Sequence, residues 1–180
     1  MFEKTKYKIG IWKARRNEKK NKHQFIDSGN FWNGIQTVLI SIPKSSELLT
    51  EVFSFADQLQ KEHKFQYEIW YTGDQLHHVQ DHFSKSNVIT PDQLQYQRWQ
   101  IPEKKSVHNK FNPKIDLIID LNMDFQLDGV YIWTCFPSAY RVGMFSFEDD
   151  QFFDLVMKFN ENTSYPERLS KLAGILKQLN

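Results

Sequence analysis

Runs of apolar residues alternate along the chain with segments that have the apolar spacing of helices. Continuous apolar stretches at 35–42 and 115–121 predict strands that are covered on both faces, as in a parallel sheet. Alternating apolar residues at 66–72 predict a strand that lies between these two in the sequence. Apolar residues at 48–59 recur three and four positions apart, which predicts a helix directly after the first strand.

Shorter patterns complete the prediction. They indicate helices at 74–83 and 128–136, strands at 87–90, 140–145 and 152–159, and a last helix from Tyr165. Strands that alternate with helices form right-handed βαβ units. The sequence therefore predicts a three-layer α/β fold, Rossmann-like or flavodoxin-like, with helices on both faces of an open, mostly parallel sheet. We expect the strands at 38–42, 69–71 and 115–121 to be neighbours in that sheet.

The first part of the chain differs from the rest. A cluster of turn residues between Asp27 and Gly34 marks a boundary, so we divide the chain into a basic N-terminal extension and linker, 1–34, and one α/β domain, 35–180. Alternation at Tyr7, Ile9 and Ile11 fits a short strand, while the charged run that follows fits a helix. The pattern leaves both structures open for the extension.

Charge is distributed unevenly between these two parts. Residues 1–24 carry nine Lys and Arg side chains against two acidic ones, whereas the remainder carries fourteen basic and twenty acidic side chains. Such a cationic arm, with Trp12 and Tyr7 among the charges, indicates contact with nucleic acid or an anionic membrane surface. A solvated tail is the alternative. The residues predicted to make the contact are Lys13, Arg15, Arg16, Lys19 and Lys20.

Several kinds of chemistry are disfavoured by the sequence. The first predicted strand is followed by Ser-Ile-Pro-Lys-Ser-Ser without the glycines of a phosphate-binding loop, and no G-x-S-x-G segment is present. We therefore expect no cofactor. His78 and His82 stand four residues apart and share a helix face, but Val79 takes the place of the Glu in H-E-x-x-H. We therefore interpret His77, His78 and His82 as a solvated face and expect no metal either. Cys135 is interpreted as a buried, unreactive thiol.

Two further features of the sequence indicate the cellular compartment. A single cysteine forms no intrachain disulfide, and no apolar run reaches the roughly 18 residues of a membrane span. Both features favour the cytoplasm, where thiols stay reduced.

The candidate ligand-binding residues follow two of the predicted strands. The carboxyl ends of parallel strands meet at one edge of a sheet, where a switch in strand order opens a crevice. This places Ser41, Lys44 and Ser45 near Asp120 and Asn122, as a site for a phosphorylated or hydroxylated molecule. The alternative is structural, with Ser45 capping its helix and Asp120 capping the next loop.

Arg141 is a further candidate because it stands inside a predicted strand. A charge at such a position must reach a ligand or a partner. We favour an ion pair with Asp116, Asp120 or Asp154 over ligand binding.

Three segments carry a resemblance to known families. They are Phe-Asn-Pro-Lys-Ile-Asp-Leu-Ile-Ile-Asp-Leu-Asn at 111–122, Ser-Ala-Tyr-Arg-Val-Gly at 138–143 and Phe-Asp-Leu-Val-Met at 153–157. Together they resemble a Bacteroidetes domain family of unknown function along nearly the whole chain. The first two are also similar to part of the N-terminal half of heptosyltransferase-type glycosyltransferases. The resemblance implies a bacterial, Rossmann-like protein and supplies no activity, because those transferases bind their nucleotide sugar mainly in a second domain.

Two functions fit these observations. The first is a non-catalytic module that binds a ligand or partner and carries a basic arm. The alternative is a small transferase or hydrolase that acts on a phosphorylated or sugar-like substrate at the carboxyl edge of the sheet. Convergent polar groups at that edge would favour the enzyme, and the sequence leaves the choice open.

Overall fold

A six-stranded parallel sheet forms the centre of the fold. The computed structural model describes residues 2–18, 26, 29–144, 152–160 and 162–179. The strands are β1 (Thr37–Ile42), β2 (Gln66–Tyr71), β3 (Asn87–Ile89), β4 (Leu117–Asp120), β5 (Tyr140–Gly143) and β6 (Leu155–Val156). They are ordered β3-β2-β1-β4-β5-β6, and every adjacent pair is parallel. The three strands predicted to be neighbours are β2, β1 and β4, so this prediction is confirmed.

Helices cover both faces of the sheet. They are α1 (Phe2–Glu18), α2 (Leu49–Glu62), α3 (Leu76–His82), α4 (Lys104–Lys110), α5 (Leu127–Trp133) and α6 (Tyr165–Gln178). One apolar core lies between the sheet and α2, α3 and α6, and a second lies between the sheet and α1, α4 and α5. The predicted three-layer α/β architecture is therefore confirmed.

Side chains of β1 point alternately to the two faces of the sheet and so contribute to both cores. All six residues of the strand are buried. Val38, Ile40 and Ile42 belong to the core under α2, whereas Leu39 belongs to the core under α5. The order of the strands reverses direction between β1 and β4, as in the dinucleotide-binding Rossmann fold. The edge at the carboxyl ends of β1 and β4 is the place where this topology puts a ligand.

The extension is helical where the structure describes it. Gly10, Ala14 and Glu18 are buried on one side of α1, at a spacing of four residues, and α1 packs against α5. A Cβ atom at Gly10 would lie 2.7 Å from Leu127 Cδ2 and 2.8 Å from the backbone oxygen of Trp99, so the helix approaches both closely. Of the two structures left open by the sequence, residues 2–18 therefore form the helix and not the strand that the alternation at Tyr7, Ile9 and Ile11 fitted. The division of the chain near residue 34 stays a prediction.

In the second half of the chain, one predicted strand is shorter than expected, and a region without a predicted element contains regular structure. The strand expected at 152–159 is only Leu155–Val156 in the structure, because residues 157–160 leave the sheet. The region 91–113, which has isolated apolar residues, contains α4 and a tight hairpin. In that hairpin the N–H of Gln97 donates to the oxygen of Ile101, and Gln100 adopts a φ of 61°. Its tip packs against α1.

Candidate functional site

Three of the predicted ligand-binding residues meet at the carboxyl edge of the sheet. Ser41 and Asp120 face each other in the β1–β4 pairing, directly at the point where the strand order reverses. The side-chain nitrogen of Asn122 donates to Ser41 Oγ at 2.7 Å and to Asp120 Oδ1 at 2.6 Å. The backbone N–H of Asn122 also donates to Asp120 Oδ1, at 3.2 Å. The topology therefore brings these side chains together, as the strand pattern predicted.

Two residues that the sequence analysis missed extend this network. Gln126 Nε2 donates to Asn122 Oδ1 at 2.8 Å, and Thr72 Oγ1 lies 3.4 Å from Gln126 Oε1. Gln126 stands four residues after Asn122 in the irregular segment before α5, and no sequence pattern indicated this contact. The network thus links the loop after β2 with the start of α5. Its inner members Ser41, Asp120 and Asn122 are all at least 96% buried.

Burial changes the acidity of the carboxyl group in this network. Loss of hydration raises the pKa of Asp120 from 3.8 to about 7, because the ionised form is costly in a buried place. Hydrogen bonds from Asn122 and Ser41 lower the pKa in the opposite direction but do not cancel the effect. A carboxyl group with such a pKa exchanges a proton near neutral pH. It accepts hydrogen bonds when ionised and donates one when protonated.

Lys44 and Ser45 lie at the same edge but outside the buried network. Both are exposed in the loop that leads from β1 to a short 3₁₀ turn, Ser46–Leu48. The side chain of Ser45 makes no capping hydrogen bond. The loop after β2 presses against this segment, since a Cβ atom at Gly73 would lie 2.5 Å from the backbone oxygen of Lys44.

Arg141 is buried in an ion pair. Its Nη1 lies 2.6 Å from Oε1 of Glu18, and both side chains are only 4% exposed. The backbone N–H of Arg141 donates to Asp154 Oδ2 at 2.9 Å. Glu18 was not among the acidic partners that the sequence suggested. The spacing of Gly10, Ala14 and Glu18 was the signal, because it puts the single acid of that helical stretch on the same side as the two small residues.

The other residues considered for chemistry, Cys135 and His82, make structural contacts. Burial raises the pKa of the Cys135 thiol to about 12, and its sulfur contacts the backbone oxygen of Tyr131. His82 stacks on Phe53 with ring centres 4.1 Å apart and lies 3.2 Å from Asp57. Within the described ranges, no group of three or more His, Cys, Asp or Glu side chains is arranged to hold a metal ion.

The outer side of α1 forms a second candidate site, a basic surface with one exposed aromatic ring. Lys8, Trp12, Arg15 and Arg16 are exposed there, and Cζ of Arg16 lies 5.4 Å from the centre of the Trp12 ring. Arg98, on the adjoining hairpin, is exposed as well. These five residues are called the basic face of α1 below. Of the predicted contact residues, Lys19 and Lys20 lie outside the described residues.

Lys13 fastens α1 to the hairpin rather than pointing away from it. Its Nζ donates to Gln97 Oε1 at 3.0 Å and lies 5.6 Å from the centre of the Trp99 ring. Arg98 Cζ approaches the same ring at 5.3 Å. Trp99 therefore has two cations beside it, and the hairpin continues the surface that begins on α1.

The exposed aromatic residues belong to α1 and to the hairpin beside it. In the part of the chain that the structure describes, the large hydrophobic side chains that count as exposed are Tyr7, Trp12 and Tyr96, at 39%, 56% and 38%. The first two belong to α1, and the third belongs to the hairpin beside it. Tyr7 stands on the same side of the helix as Gly10 and Ala14, so Trp12 is the exposed ring on the outer side of α1.

The fold and the two sites define a parallel α/β protein with Rossmann strand order, a closed polar network at the switch point and a basic, aromatic helix on one face. No family of known proteins matches this chain, and no characterised protein or solved structure matches it either. Among the helices described, none is both long and apolar enough to cross a membrane. The resemblances to the Bacteroidetes family and to the glycosyltransferases stay predictions.

Proposed function

We propose that this protein is a non-catalytic binding module that contacts an anionic partner through the basic face of α1. The observation that carries the proposal is the exposure of Trp12 among the exposed cations Lys8, Arg15 and Arg16 on the outer side of α1. Cations attract the partner over a distance, and exposed rings add contact area once it has arrived. The reducing compartment that a single cysteine favours, and the resemblance to a bacterial family, support a cytoplasmic bacterial setting for it.

The way α1 is attached supports this function. Its buried side holds Gly10, Ala14 and Glu18, so the helix is fixed in one orientation and its outer side is presented as a rigid surface. The chain beyond residue 24 has twenty acidic and fourteen basic side chains, so it repels the same partner. Binding is thereby directed to α1 rather than spread over the protein.

Reversal of two charges on the basic face tests this proposal. We expect the double variant Lys8→Glu/Arg16→Glu to leave a heparin column at clearly lower salt than the natural protein, since each change turns an attraction into a repulsion. Point changes are preferable to removal of residues 1–24, which would also remove the buried Ala14 and Glu18.

The matched control is Lys61→Glu/Lys64→Glu, which makes the same change in net charge at two exposed positions near the end of α2. This control should elute with only the small shift that net charge causes. Equal shifts for the two double variants would show that retention reflects total charge and would end the proposal.

A second function has a separate observation in its favour. Asp120, with a pKa of about 7 at the switch point, has the ionisation that a general acid or base needs near neutral pH. We propose, as the second candidate, that the carboxyl edge takes a phosphorylated or hydroxylated small molecule, with Lys44 and Ser45 at the entrance. In the enzymatic form of this candidate, a transferase or hydrolase, Asp120 would exchange the proton of a sugar-like hydroxyl.

Reaching Asp120 requires the network to open. Asn122 and Ser41 cover its carboxyl group with hydrogen bonds, and Gln126 holds Asn122 in place. A bound hydroxyl group would have to take over one of these bonds. The closed state of the network is the reason why this candidate ranks second.

Thermal-shift screening separates the second candidate from the first. Nucleotides, nucleotide sugars and sugar phosphates are the compounds to test, and a ligand at 100 times its dissociation constant should stabilise the fold by about 2.7 kcal/mol. Lys44→Ala and Asp120→Asn should each reduce that stabilisation, whereas Lys64→Ala, an exposed lysine at the opposite edge, should leave it unchanged. If no compound stabilises the protein, or if the variants respond like the natural chain, the carboxyl edge is not a ligand site.

A further inference from the structure

We infer that the partner of the basic face of α1 is single-stranded nucleic acid, bound by stacking of bases on aromatic rings together with contacts to phosphates. This inference rests on the proposed function and names the class of partner for the same surface. Sequence alone left nucleic acid and an anionic membrane open. The position of α1 in the fold provides arguments that separate them.

Trp12 has the surroundings of a stacking residue. Its ring is 56% exposed, and it lies on the outer side of the helix with Lys8 one turn before and Arg16 one turn after. Arg16 also lies close to the ring, at 5.4 Å from its centre. Single-stranded nucleic acid combines bases with exposed faces and a phosphate at each nucleotide, so it satisfies the ring and the cations at once.

The adjoining hairpin offers further rings and cations in the same region. Trp99 is half-buried between Lys13 and Arg98, while Tyr96 is 38% exposed and its hydroxyl lies 3.3 Å from Asp128 Oδ2. The carboxyl group of Asp128 makes the Tyr96 end of the hairpin acidic. A bound nucleic-acid strand would therefore run along α1 and over the end of the hairpin that holds Arg98 and Trp99.

A membrane fits this surface less well because the apolar side of α1 is already used. Membrane-surface helices bury a side rich in Trp, Phe and Leu in the lipid boundary. Here Gly10 and Ala14 face the protein, and Ile11 packs against the core under α5. The outward positions of α1 whose side chains are described hold mainly polar and charged residues around Trp12, and Ile9, which is partly buried, is the single aliphatic residue among them.

Duplex DNA also fits less well. It presents phosphates to Lys8 and Arg16, but its bases remain stacked on one another and cannot cover the Trp12 ring. A protein that uses only phosphate contacts gains nothing from an exposed indole. The combination of ring and cations therefore favours the single strand.

Binding measured by fluorescence anisotropy tests the inference on the full chain. The probes are labelled oligothymidylate and oligouridylate of about 20 nucleotides, a length that exceeds the site of one small domain, a duplex of equal length, and, by co-sedimentation, vesicles of phosphatidylcholine with phosphatidylserine. We expect Trp12→Ala to weaken binding of the single strands about tenfold, and Trp12→Phe to keep most of the affinity. Because Trp12 is exposed, both variants should unfold at nearly the natural temperature.

The salt dependence of the binding affinity distinguishes base stacking on Trp12 from phosphate contacts of Lys8 and Arg16. Trp12→Ala should leave the slope of affinity against salt unchanged. Lys8→Ala/Arg16→Ala should reduce the magnitude of that slope by about 1.4, because each phosphate that a cation neutralises on a single strand accounts for about 0.7. Equal affinity for the DNA and RNA strands would identify the shared bases and phosphates as the ligand. A preference for RNA would add a contact to the 2′-hydroxyl and would support the same inference.

The outcomes against the inference are distinct from those against the proposed function. If Trp12→Ala binds single strands as the natural protein does, or if duplex or vesicles bind more tightly than single strands, the inference is overturned while an anionic partner remains. If no probe binds in a salt-dependent way, the inference and the proposed function fail together.

Discussion

Replacement of Glu18 by Ala is expected to lower the free energy of unfolding by about 3–5 kcal/mol. The carboxylate of Glu18 and the guanidinium of Arg141 are both 4% exposed, and their closest atoms are 2.6 Å apart. Removal of one partner leaves the other charge buried without compensation, which costs far more than the loss of a surface pair. Nε of Arg141 has no hydrogen-bond partner among the described residues, so that atom does nothing to offset the loss of Glu18.

The exposed pair formed by Lys177 and Glu62 is the matched control. Its atoms are 3.6 Å apart, and the lysine side chain is 66% exposed. We expect Glu62→Ala to cost less than about 1 kcal/mol. In urea unfolding, the double variant Glu18→Leu/Arg141→Met should recover most of the stability that Glu18→Ala loses, because a buried pair exchanged for apolar groups is often neutral.

The loss of stability in Glu18→Ala also tests how α1 is held on the domain. The ion pair joins the end of α1 to β5 in the sheet, and it thereby fixes which side of the helix faces outward. If Glu18→Ala proves no more harmful than Glu62→Ala, the pair does not hold α1 on the domain. The rigid basic face would then lose its main support.

The second large effect is a dependence of stability on pH that comes from Asp120. Its pKa is 3.8 in the unfolded chain and about 7 in the folded protein, because burial penalises the ionised form. Between these values the folded state keeps a proton that the unfolded state has released. The stabilisation is therefore complete below pH 3.8 and is lost as the pH rises through about 7.

Comparison with Asp120→Asn isolates this contribution, since asparagine does not titrate and other groups cancel in the difference. The advantage of the natural protein over the variant should fall by about 3 kcal/mol from pH 5 to pH 8, at about 1.4 kcal/mol for each of the two pH units below the folded pKa. Glu68, whose pKa burial also raises, is present in both proteins. A difference that stays constant with pH would mean that Asp120 is ionised throughout.

The sheet was predictable because its central strands are covered on both faces. β1 and β4 are fully buried and mainly apolar, and parallel pairing brings the polar residues Ser41 and Asp120 near their carboxyl ends to the same edge. A helix with apolar residues at a spacing of three and four, such as α2, is equally clear in the sequence. These elements depend on local patterns that repeat over several turns or residues.

Elements that depend on contacts between distant residues were not predictable in the same way. Residues of α1 alternate like a strand at Tyr7, Ile9 and Ile11, and only packing against α5 selects the helix. The spacing of Glu18 after Ala14 puts its side chain on the buried side of α1, but no local pattern identifies Arg141, more than a hundred residues away, as its partner. The hydrogen bond from Thr72 to Gln126 was missed for the same reason, since 54 positions separate the two residues.

Chemical-shift mapping by NMR tests the central claim most directly, because it reports where a partner binds on the natural protein. On titration with oligothymidylate, the proposal predicts that amide shifts concentrate in α1 and in the hairpin around Arg98 and Trp99, and that they fade as salt is added. Shifts centred on residues 120–126 at the carboxyl edge, or spread evenly over the surface, would contradict it.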